Sequence, residues 1–208
     1  MPVTEVRHPL VLHKLSYLRD RSTPTVHFRK LVEEVTLLLT YEATKDFPTE
    51  EVEVETPLEL AAMPRISGKK VAVCPILRAG LGMLDGVLDL ISGARVGFIG
   101  LYRNEETLQP VEYYVKLPQD VAERDVLLLD PMLATGNSTA HAVRLVKEAG
   151  SESVTLISII AAPEGIERVT SEFPDVHIVV AAIDRGLNER GYIVPGLGDA
   201  GDRLYGTK

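Results

Sequence analysis

The sequence predicts an α/β fold, with a twisted parallel sheet flanked by helices. Short apolar strand candidates alternate along the chain with segments whose apolar residues recur at helical spacing. The strand candidates are nearly continuous apolar runs, as expected for strands that are buried on both faces. No internal repeat or linker divides the chain, so we expect one domain over residues 1–208.

The elements of this fold follow one another in a regular order. The predicted strands are 71–75, 96–102, 126–130, 154–161 and 177–182. An N-terminal helix is expected from the cap and proline Thr23-Pro24 through Leu39, and further helices are expected at 82–90, 138–149 and 164–173. Residues 103–118 are expected to form an extended arm that projects from the core. The chain from Ile183 onward is expected to be a glycine-rich loop.

Composition excludes several classes of function. The chain has 22 Lys and Arg against 30 Asp and Glu, a net charge of −8, which disfavours a general nucleic-acid binder. Its longest apolar stretch, 154–162, is about half of what a membrane span needs, and no signal-peptide pattern opens the sequence. The single cysteine, Cys74, cannot form an internal disulfide, so we expect a cytoplasmic protein.

The segment 126–139, V-L-L-L-D-P-M-L-A-T-G-N-S-T, carries the strongest functional signal. Four apolar residues lead to Asp130, and a cluster of small and hydroxyl-bearing residues precedes a helical pattern that ends before Gly150. A helix N-terminus offers unpaired N–H groups to an anion, and a carboxylate accepts hydrogen bonds from sugar hydroxyls. The segment therefore suits a sugar phosphate. An ordinary turn in which Thr135 and Ser138 cap a helix is the alternative.

Two arginines follow neighbouring predicted strands. Arg78 lies in C-P-I-L-R-A-G-L-G-M, where Gly80 and Gly82 would let the backbone approach a ligand closely, and Arg103 follows the strand 96–102. The planar guanidinium group suits bidentate phosphate binding. A solvated Arg78 and a surface ion pair between Arg103 and a following glutamate are the alternatives.

A third candidate segment is Y-I-V-P-G-L-G-D-A-G-D, residues 192–202. Its exposed backbone groups would be able to read the edge of a flat heterocycle, whereas a plain surface turn is the alternative. Asp199 and Asp202 have too few companions for a metal site, and the five histidines lack metal-ligand spacing. We therefore predict no metal residues in the protein itself. In a sheet of this type the three segments would converge beyond the carboxyl ends of the strands.

Together these segments resemble the uracil phosphoribosyltransferase family. The matching strings are H-P-L, L-L-T-Y-E-A-T, P-I-L-R-A-G-L-G-M, Y-R-N-E-E-T, D-P-M-L-A-T-G-N-S, A-A-P-E-G-I and G-Y-I-V-P-G-L-G-D-A-G-D, and they span nearly the whole chain. The resemblance implies a type I phosphoribosyltransferase fold with a projecting β-arm and a C-terminal hood loop that binds the base. It also implies the conversion of uracil and phosphoribosyl pyrophosphate (PRPP) to UMP and pyrophosphate, with Mg²⁺ as cofactor and GTP as a candidate effector.

The resemblance also implies the site residues. Asp130, Arg78 and Arg103 would be catalytic. The residues that the resemblance implies for PRPP binding are Arg78, Arg103, Asp130, Pro131, Met132, Leu133, Ala134, Thr135, Gly136, Asn137, Ser138 and Asp199. Those implied for uracil are Ile193, Gly198, Asp199 and Ala200. A cis peptide bond between Leu77 and Arg78 is a further implication.

One residue departs from the family pattern. The family usually has A-T-G-G-S in the phosphate loop, and here Asn137 replaces the second glycine. Because Asn tolerates a positive φ better than other non-glycine residues, we expect the loop to keep its shape.

Two other functions stay open at this point. One is a regulator that senses nucleotides with the same fold, which the net charge of −8 disfavours if RNA is its target. The other is an enzyme for another base, such as a purine, which the match of the tail segment disfavours.

The arm should also make a subunit contact. Its apolar residues are Val111, Tyr113, Tyr114, Val115 and Leu117. If exposed, they would form an apolar patch, so we expect a homodimer or a higher homo-oligomer.

Overall fold

A central sheet with helices on both faces makes up most of the described chain. The computed structural model describes residues 3–68, 71–103 and 110–207, and for Arg103 and Pro110 it describes the backbone alone. The helices are α1 (Pro9–Arg19), α2 (Thr25–Ala43), α3 (Leu81–Leu90), α4 (Asn137–Glu148), α5 (Pro163–Glu172) and α6 (Ala200–Tyr205), with a 3₁₀ turn at Val121–Glu123. The strands are β1 (Val3–Glu5), β2 (Thr49–Glu55), β3 (Leu60–Ile66), β4 (Val71–Leu77), β5 (Arg95–Val96), β6 (Phe98–Arg103), β7 (Pro110–Lys116), β8 (Asp125–Leu129), β9 (Met132–Leu133), β10 (Val154–Ala161), β11 (His177–Ile183), β12 (Gly186–Leu187) and β13 (Ile193–Val194).

The main sheet is parallel except at one edge, as the sequence predicted. Its strand order is β1-β11-β10-β8-β4-β6-β7, with β5 beside β4 and β9 beside β10. Only the β6–β7 pair among the described strands of this sheet is antiparallel. The central strands are nearly continuous runs of buried apolar residues, which is why they occupy the middle of the sheet.

Four of the five predicted strands are present with ends that move by at most two residues, and the fifth is divided. The predicted strand 96–102 becomes β5 and β6, separated by Gly97, whose N–H donates to the Val73 carbonyl (2.9 Å). A Cβ at Gly97 would lie 3.0 Å from the Cys74 sulfur. The chain therefore passes β4 closely at this point.

Helices α1, α2, α3 and α6 pack on one face of the sheet, and α4 and α5 pack on the other. Helix α2 buries one apolar stripe, which includes Phe28, Val32, Val35 and Leu39. The predicted helices are confirmed with small shifts of their ends. Pro24 is the residue before α2 rather than its first residue.

Several elements were not predicted, among them β1, α1 and the β2–β3 hairpin. Helix α1 was missed although its buried residues Val11, Leu15 and Leu18 have helical spacing and the His8 Nδ1 accepts from the Leu10 N–H (3.2 Å). The β2–β3 hairpin was also missed. Its acidic β2 strand is mostly exposed, so it lacks the apolar run by which strands were recognised.

The prediction of a glycine-rich loop after Ile183 is wrong in two places. Strands β12 and β13 form a short antiparallel pair, and α6 follows them. Asp199 starts α6 because its Oδ1 accepts a hydrogen bond from the Asp202 N–H (2.9 Å).

The arm is a two-stranded extension of the sheet. Strand β6 pairs with β4 through Ile99 and Gly100, and it pairs with β7 along its whole length. Tyr113 and Tyr114 are exposed as expected, but Val115 and Leu117 are half-buried and pack against the core, so the predicted apolar patch is smaller. Val111 is also half-buried. The arm residues 104–109 lie outside the described part of the chain.

The described part of the chain contains no candidate transmembrane helix. In the ranges 3–68, 71–103 and 110–207, each helix is too short or too polar to cross a bilayer.

Candidate active site

The carboxyl ends of β4 and β8 border a cleft that contains the predicted phosphate loop. Its lining includes side chains and backbone from the loop after β4, the loop after β8 and the start of α4. The residues are Ile76, Leu77, Arg78, Ala79, Leu101, Asp130, Met132, Ala134, Thr135, Gly136, Ser138, Thr139 and Gly191. The first two candidate segments of the sequence therefore lie in one cleft.

The phosphate loop turns into α4 at Gly136. This residue has φ +76°, and a Cβ there would lie 2.8 Å from the Gly165 carbonyl oxygen, so the position requires glycine. The first hydrogen bond of the helix runs from the Ala140 N–H to the Gly136 carbonyl (2.8 Å). The backbone amides of residues 137–139 precede that bond and, with the Thr135 and Ser138 hydroxyls, suit an anionic group.

Asn137 does not occupy the left-handed position that the sequence analysis assigned to it. It is the first residue of α4, and the positive φ falls one residue earlier, at Gly136. Its Oδ1 accepts a hydrogen bond from Arg168 Nε on α5 (3.4 Å). Asn137 is also absent from the cleft lining, so its side chain braces two helices.

Asp130 follows β8 at the floor of the cleft. Its Oδ2 accepts a hydrogen bond from the Thr139 hydroxyl (3.0 Å), and its Oδ1 accepts one from the Met132 N–H (3.3 Å). Burial raises the pKa of this carboxyl to about 6, although the two hydrogen bonds act in the opposite direction. Asp130 thus combines a cleft position with an unusual pKa, a combination that favours a functional role.

The loop after β4 contributes Arg78 to the cleft lining. The peptide bond between Leu77 and Arg78 is cis, which confirms the expectation from the family resemblance. The Tyr205 hydroxyl of α6 donates to the Arg78 carbonyl (2.9 Å). This side of the cleft is therefore tied to the C-terminal segment.

The two glycines after Arg78 allow close packing within the protein. A Cβ at Gly80 would lie 2.4 Å from the Leu129 carbonyl oxygen, and one at Gly82 would lie 2.8 Å from the Leu204 side chain. The close approach that the sequence suggested exists, but the partners are β8 and α6.

Two further predicted PRPP residues stand apart from the cleft lining. Pro131 and Leu133 are buried, and the Pro131 carbonyl accepts hydrogen bonds from the N–H groups of residues 159 and 160 on β10. Arg103 ends β6, and its side chain lies outside the described residues, so its role stays a prediction.

The predicted uracil residues are not among those that line the cleft, and Gly198 and Asp199 line a second pocket that includes Arg203. Ile193 and Ala200 are buried, Gly198 is exposed, and Asp199 caps α6. A Cβ at the next residue, Gly201, would lie 4.0 Å from the Ala79 Cβ, and Ala79 lines the cleft. The third segment therefore approaches the cleft through the start of α6.

Sequence reasoning missed several cleft residues, of which Thr139 is the most informative. Its hydroxyl is the only side-chain donor to Asp130 that the described residues supply. The sequence could have indicated Thr139 as a site residue, because it is a third hydroxyl-bearing side chain at the predicted start of the helix. Gly191 and Leu101 carried no comparable signal, because only the folded chain brings them to the cleft.

The cleft fits a magnesium ion that arrives with a phosphate ligand. Mg²⁺ is commonly held by one or two carboxylates together with substrate phosphates. Among the residues that the structure describes, no three or more His, Cys, Asp or Glu side chains form a metal-binding group. Among the described residues that line the cleft, Asp130 is the one carboxylate. A single carboxylate suits an ion shared with a substrate phosphate and is too few ligands for a resident metal.

Solved structures of distant relatives define the fold of this protein. The fold matches a hypoxanthine-guanine phosphoribosyltransferase from Bacillus anthracis with a TM-score of 0.51 at 10% identity, over 77% of this chain and 80% of that chain. It matches a hypoxanthine phosphoribosyltransferase from Trypanosoma cruzi with a TM-score of 0.52 at 11% identity, over 76% of this chain and 75% of that chain. At this identity the likeness concerns the fold, which is that of the type I phosphoribosyltransferases.

Closer relatives define the family. The family model for uracil phosphoribosyltransferase matches residues 5–207, and the chain belongs to that family. It is 60% identical to the uracil phosphoribosyltransferase of Clostridium perfringens over 99% of both chains, and 59% identical to that of a Thermoanaerobacter species over 98% of this chain and 97% of the relative. The AQ2163 protein of Aquifex aeolicus, a solved structure, matches with a TM-score of 0.94 at 42% identity over 99% of both chains.

Proposed function

We propose that the chain transfers the 5-phosphoribosyl group from PRPP to N1 of uracil, giving UMP and pyrophosphate in pyrimidine salvage. One observation carries this proposal: Arg78, Asp130 and the start of α4 line a single cleft. A phosphate cradle, a hydroxyl-accepting acid and a cation for a leaving group are the parts that this reaction needs. The names of relatives about 60% identical support the choice of base.

The phosphate loop is assigned to the 5′-phosphate and Asp130 to the ribose. The backbone N–H groups at the start of α4 would donate to the phosphate, as would the Thr135 and Ser138 hydroxyls. The Asp130 carboxylate would accept hydrogen bonds from the two ribose hydroxyls. Because both ends of the phosphoribosyl group are held, its anomeric carbon is fixed for attack by uracil N1.

The wall formed by Arg78 is assigned to the pyrophosphate, together with Arg103. As the bond to the anomeric carbon breaks, positive charge develops on the ribose and negative charge on the departing pyrophosphate. A preorganised guanidinium group stabilises that negative charge without reorganising. Mg²⁺ bound with PRPP would supply further charge neutralisation there. Asp199 is assigned to the ribosyl side or to the metal.

Uracil is assigned to the loop 193–200. Backbone groups of Ile193, Gly198, Asp199 and Ala200 would donate to a pyrimidine carbonyl and accept from the ring N3–H. Cytosine reverses this donor and acceptor pattern, so we expect selectivity for uracil of roughly 10⁴-fold or more. Use of cytosine within tenfold of uracil would contradict this assignment.

A spectrophotometric assay with uracil, PRPP and Mg²⁺ tests the proposal, with cytosine, hypoxanthine and adenine as competing bases. We expect UMP to form from uracil and the other bases to react far more slowly. PRPP binding without UMP formation would instead favour a nucleotide sensor, and a faster reaction with a purine would identify another base as the substrate.

A homodimer or a higher homo-oligomer is proposed for the assembled enzyme. Exposed Tyr102 and Tyr113 of the arm contact each other, with ring centroids 6.3 Å apart, and the exposed Tyr114 lies next to them in the sequence. Such aromatic surface is typical of a protein interface. Light scattering at micromolar concentration should therefore give at least twice the chain mass, and a monomer would contradict this proposal.

We also propose GTP as an effector of the enzyme, on the basis of the family resemblance. The test is the rate of UMP formation at subsaturating PRPP with and without GTP.

We further propose that the protein works in a reducing cytoplasm and forms a single domain. The first proposal is supported by Cys74, a buried thiol whose pKa is raised to about 12 by burial. A single domain over residues 1–208 is supported by the two apolar clusters that cover opposite faces of one sheet.

A further inference from the structure

Asp184 is a buried carboxylate outside the cleft that the proposed reaction does not use. It follows β11, and 7% of its surface is exposed. Its Oδ1 accepts a hydrogen bond from Arg19 Nη2 (2.5 Å), and its Oδ2 accepts one from Arg19 Nη1 (2.9 Å). The two residues are 165 positions apart in the sequence, and Arg19 is the last residue of α1. The pair is therefore a bidentate link between α1 and the segment that follows the sheet.

The pair binds both backbone polar groups of Gly196. The Gly196 N–H donates to Asp184 Oδ2 (2.9 Å), and its carbonyl accepts from Arg19 Nη1 (2.7 Å). Gly196 has φ +68°, and a Cβ there would lie 2.2 Å from the Ile193 carbonyl oxygen. In the middle of the loop 193–200, Arg19 and Asp184 therefore fix the orientation of the two peptide groups that flank Gly196.

A second arginine holds the next residue of the same loop. Arg203 Nη1 donates to the Leu197 carbonyl (2.7 Å) and also to the Leu18 carbonyl of α1. Its guanidinium group lies 4.2 Å from the centre of the Phe28 ring on α2. The carbonyls of residues 196 and 197 are therefore both fixed by arginine side chains.

We propose that Arg19 and Asp184 are positioning residues that fix the geometry of the base-reading loop and thereby set affinity and selectivity for the nucleobase. The inference rests on the proposed function, because it requires that the loop 193–200 binds uracil. Backbone groups select a base only when their directions are fixed before binding. Gly196 lies between Ile193 and Gly198, so a shift of its peptide would move the groups on both sides.

Loss of the Arg19–Asp184 pair should affect the binding of uracil and not the binding of PRPP. The phosphate loop and Asp130 belong to 126–139, and no hydrogen bond of the described residues connects them with Arg19 or Asp184. A loosened Gly196 should weaken uracil binding and leave PRPP binding unchanged. A purely structural role would instead lower the amount of folded enzyme without changing either KM.

Arg19→Lys is the primary test variant. It keeps the charge but lacks the planar fork that bridges both Asp184 oxygens and the Gly196 carbonyl. We expect KM for uracil to rise about tenfold or more, KM for PRPP to stay within about twofold, and the preference for uracil over cytosine to fall about tenfold. Asp184→Asn keeps the side-chain shape and should give the same split between the two substrates.

Arg124→Lys is the matched control. Arg124 forms a similar bidentate pair with Asp120, through Nε (2.9 Å) and Nη2 (2.8 Å), before β8 at the opposite end of the sheet. We expect this variant to leave both KM values unchanged, and circular dichroism melting would monitor the folding of all three variants.

The outcomes separate the two proposals. If the wild type forms no UMP from uracil, the proposed function fails and this inference falls with it. If the wild type is active and Arg19→Lys and Asp184→Asn change neither KM for uracil nor base selectivity, only the positioning role is overturned. Equal increases in both KM values, or loss of the folding transition in both variants, would also overturn it.

Discussion

The phosphate side of the cleft is one continuous stretch of chain, whereas the base side is assembled from distant segments. Asp130 receives its hydrogen bonds from residues two and nine positions away. The base loop is held by Arg19, which donates to the carbonyl of Gly196, a residue 177 positions away. The first side depends on local backbone geometry and the second on long-range side-chain bonds. Substitutions on the two sides should therefore affect different substrates.

The largest effect is expected at the centre of the phosphate side. Asp130→Asn replaces a carboxylate that faces the cleft with a group that has one acceptor oxygen, so the ribose hydroxyls lose a charged partner. We expect kcat/KM to fall by about 10²- to 10³-fold. Steady-state kinetics with uracil and PRPP at pH 8 measures this loss.

The stability of Asp130→Asn is the control for that loss. Because burial raises the pKa of Asp130 from 3.8 to about 6, the folded state favours the protonated form. The protonated carboxyl therefore contributes to the stability of the folded state. This contribution is fully present below pH 3.8 and is lost as the pH rises through about 6, where the folded protein releases the proton. At pH 8 the variant should therefore melt at the same or a higher temperature than the wild type. A lower melting temperature would mean that misfolding causes the loss of activity.

The activity should decrease at acidic pH as the Asp130 carboxylate becomes protonated, and this decrease is the acidic limb of the pH profile. If ionised Asp130 binds the ribose, kcat/KM should fall about tenfold per unit below a pH of about 6. The Thr139 hydroxyl lowers the pKa of Asp130 by its hydrogen bond, so Thr139→Val should move this acidic limb to higher pH. A profile of kcat/KM between pH 5 and 9 would measure the shift.

Thr36→Val is the matched control for that profile. The Thr36 hydroxyl donates to the Val32 carbonyl within α2, remote from the cleft, so its removal should leave the limb in place. PRPP also has phosphates that titrate near neutral pH, but their ionisation is the same with every variant. An acidic limb that does not move in Thr139→Val would therefore assign it to the substrate instead of Asp130.

A smaller effect is expected where the C-terminal segment supports the pyrophosphate wall. Tyr205→Phe removes the hydrogen bond to the Arg78 carbonyl, and one such bond contributes about 1 kcal/mol. We expect KM for PRPP to rise about fivefold, with KM for uracil within about twofold. Tyr41→Phe, at an exposed position on α2, should change neither value. An increase in KM for uracil alone would show that α6 supports the base and not the pyrophosphate.

The sequence predicted the phosphate side better than the base side for the same physical reason. An apolar run, an acid and small residues before a helical pattern determine a strand, a loop and a helix start within 126–139. The order of strands follows from similar local patterns. These signals are short in range, so one segment of sequence contains all of them.

The contacts of the base side had no local signal. Nothing in the neighbourhood of Arg19 indicates that its guanidinium group meets Asp184 and the Gly196 carbonyl, because the three meet only after α1 packs beside the end of the sheet. Helix α6 was missed for a related reason. Its residues A-G-D-R-L-Y include a glycine that disfavours helix, and the Asp199 cap and the packing of Leu204 outweigh it.

The smallest effect is expected at the position where the sequence departs from its family. Asn137→Gly restores the usual glycine and removes the long hydrogen bond to Arg168. Since Asn137 is helical and is absent from the cleft lining, KM for PRPP should stay within about twofold, and the free energy of unfolding should fall by up to about 1 kcal/mol. Kinetics and urea unfolding would measure the two quantities.

Gly136→Ala is the contrasting substitution one residue earlier. It would place a methyl group 2.8 Å from the Gly165 carbonyl oxygen at φ +76°, so the loop must shift. We expect KM for PRPP to rise by at least about tenfold, because the shift displaces the amides that meet the phosphate. If Asn137→Gly raised KM for PRPP as much as Gly136→Ala, Asn137 would have to act on the phosphate directly. If neither did, the phosphate would have to be bound elsewhere, and the contrast between a locally built phosphate side and a remotely held base side would fail.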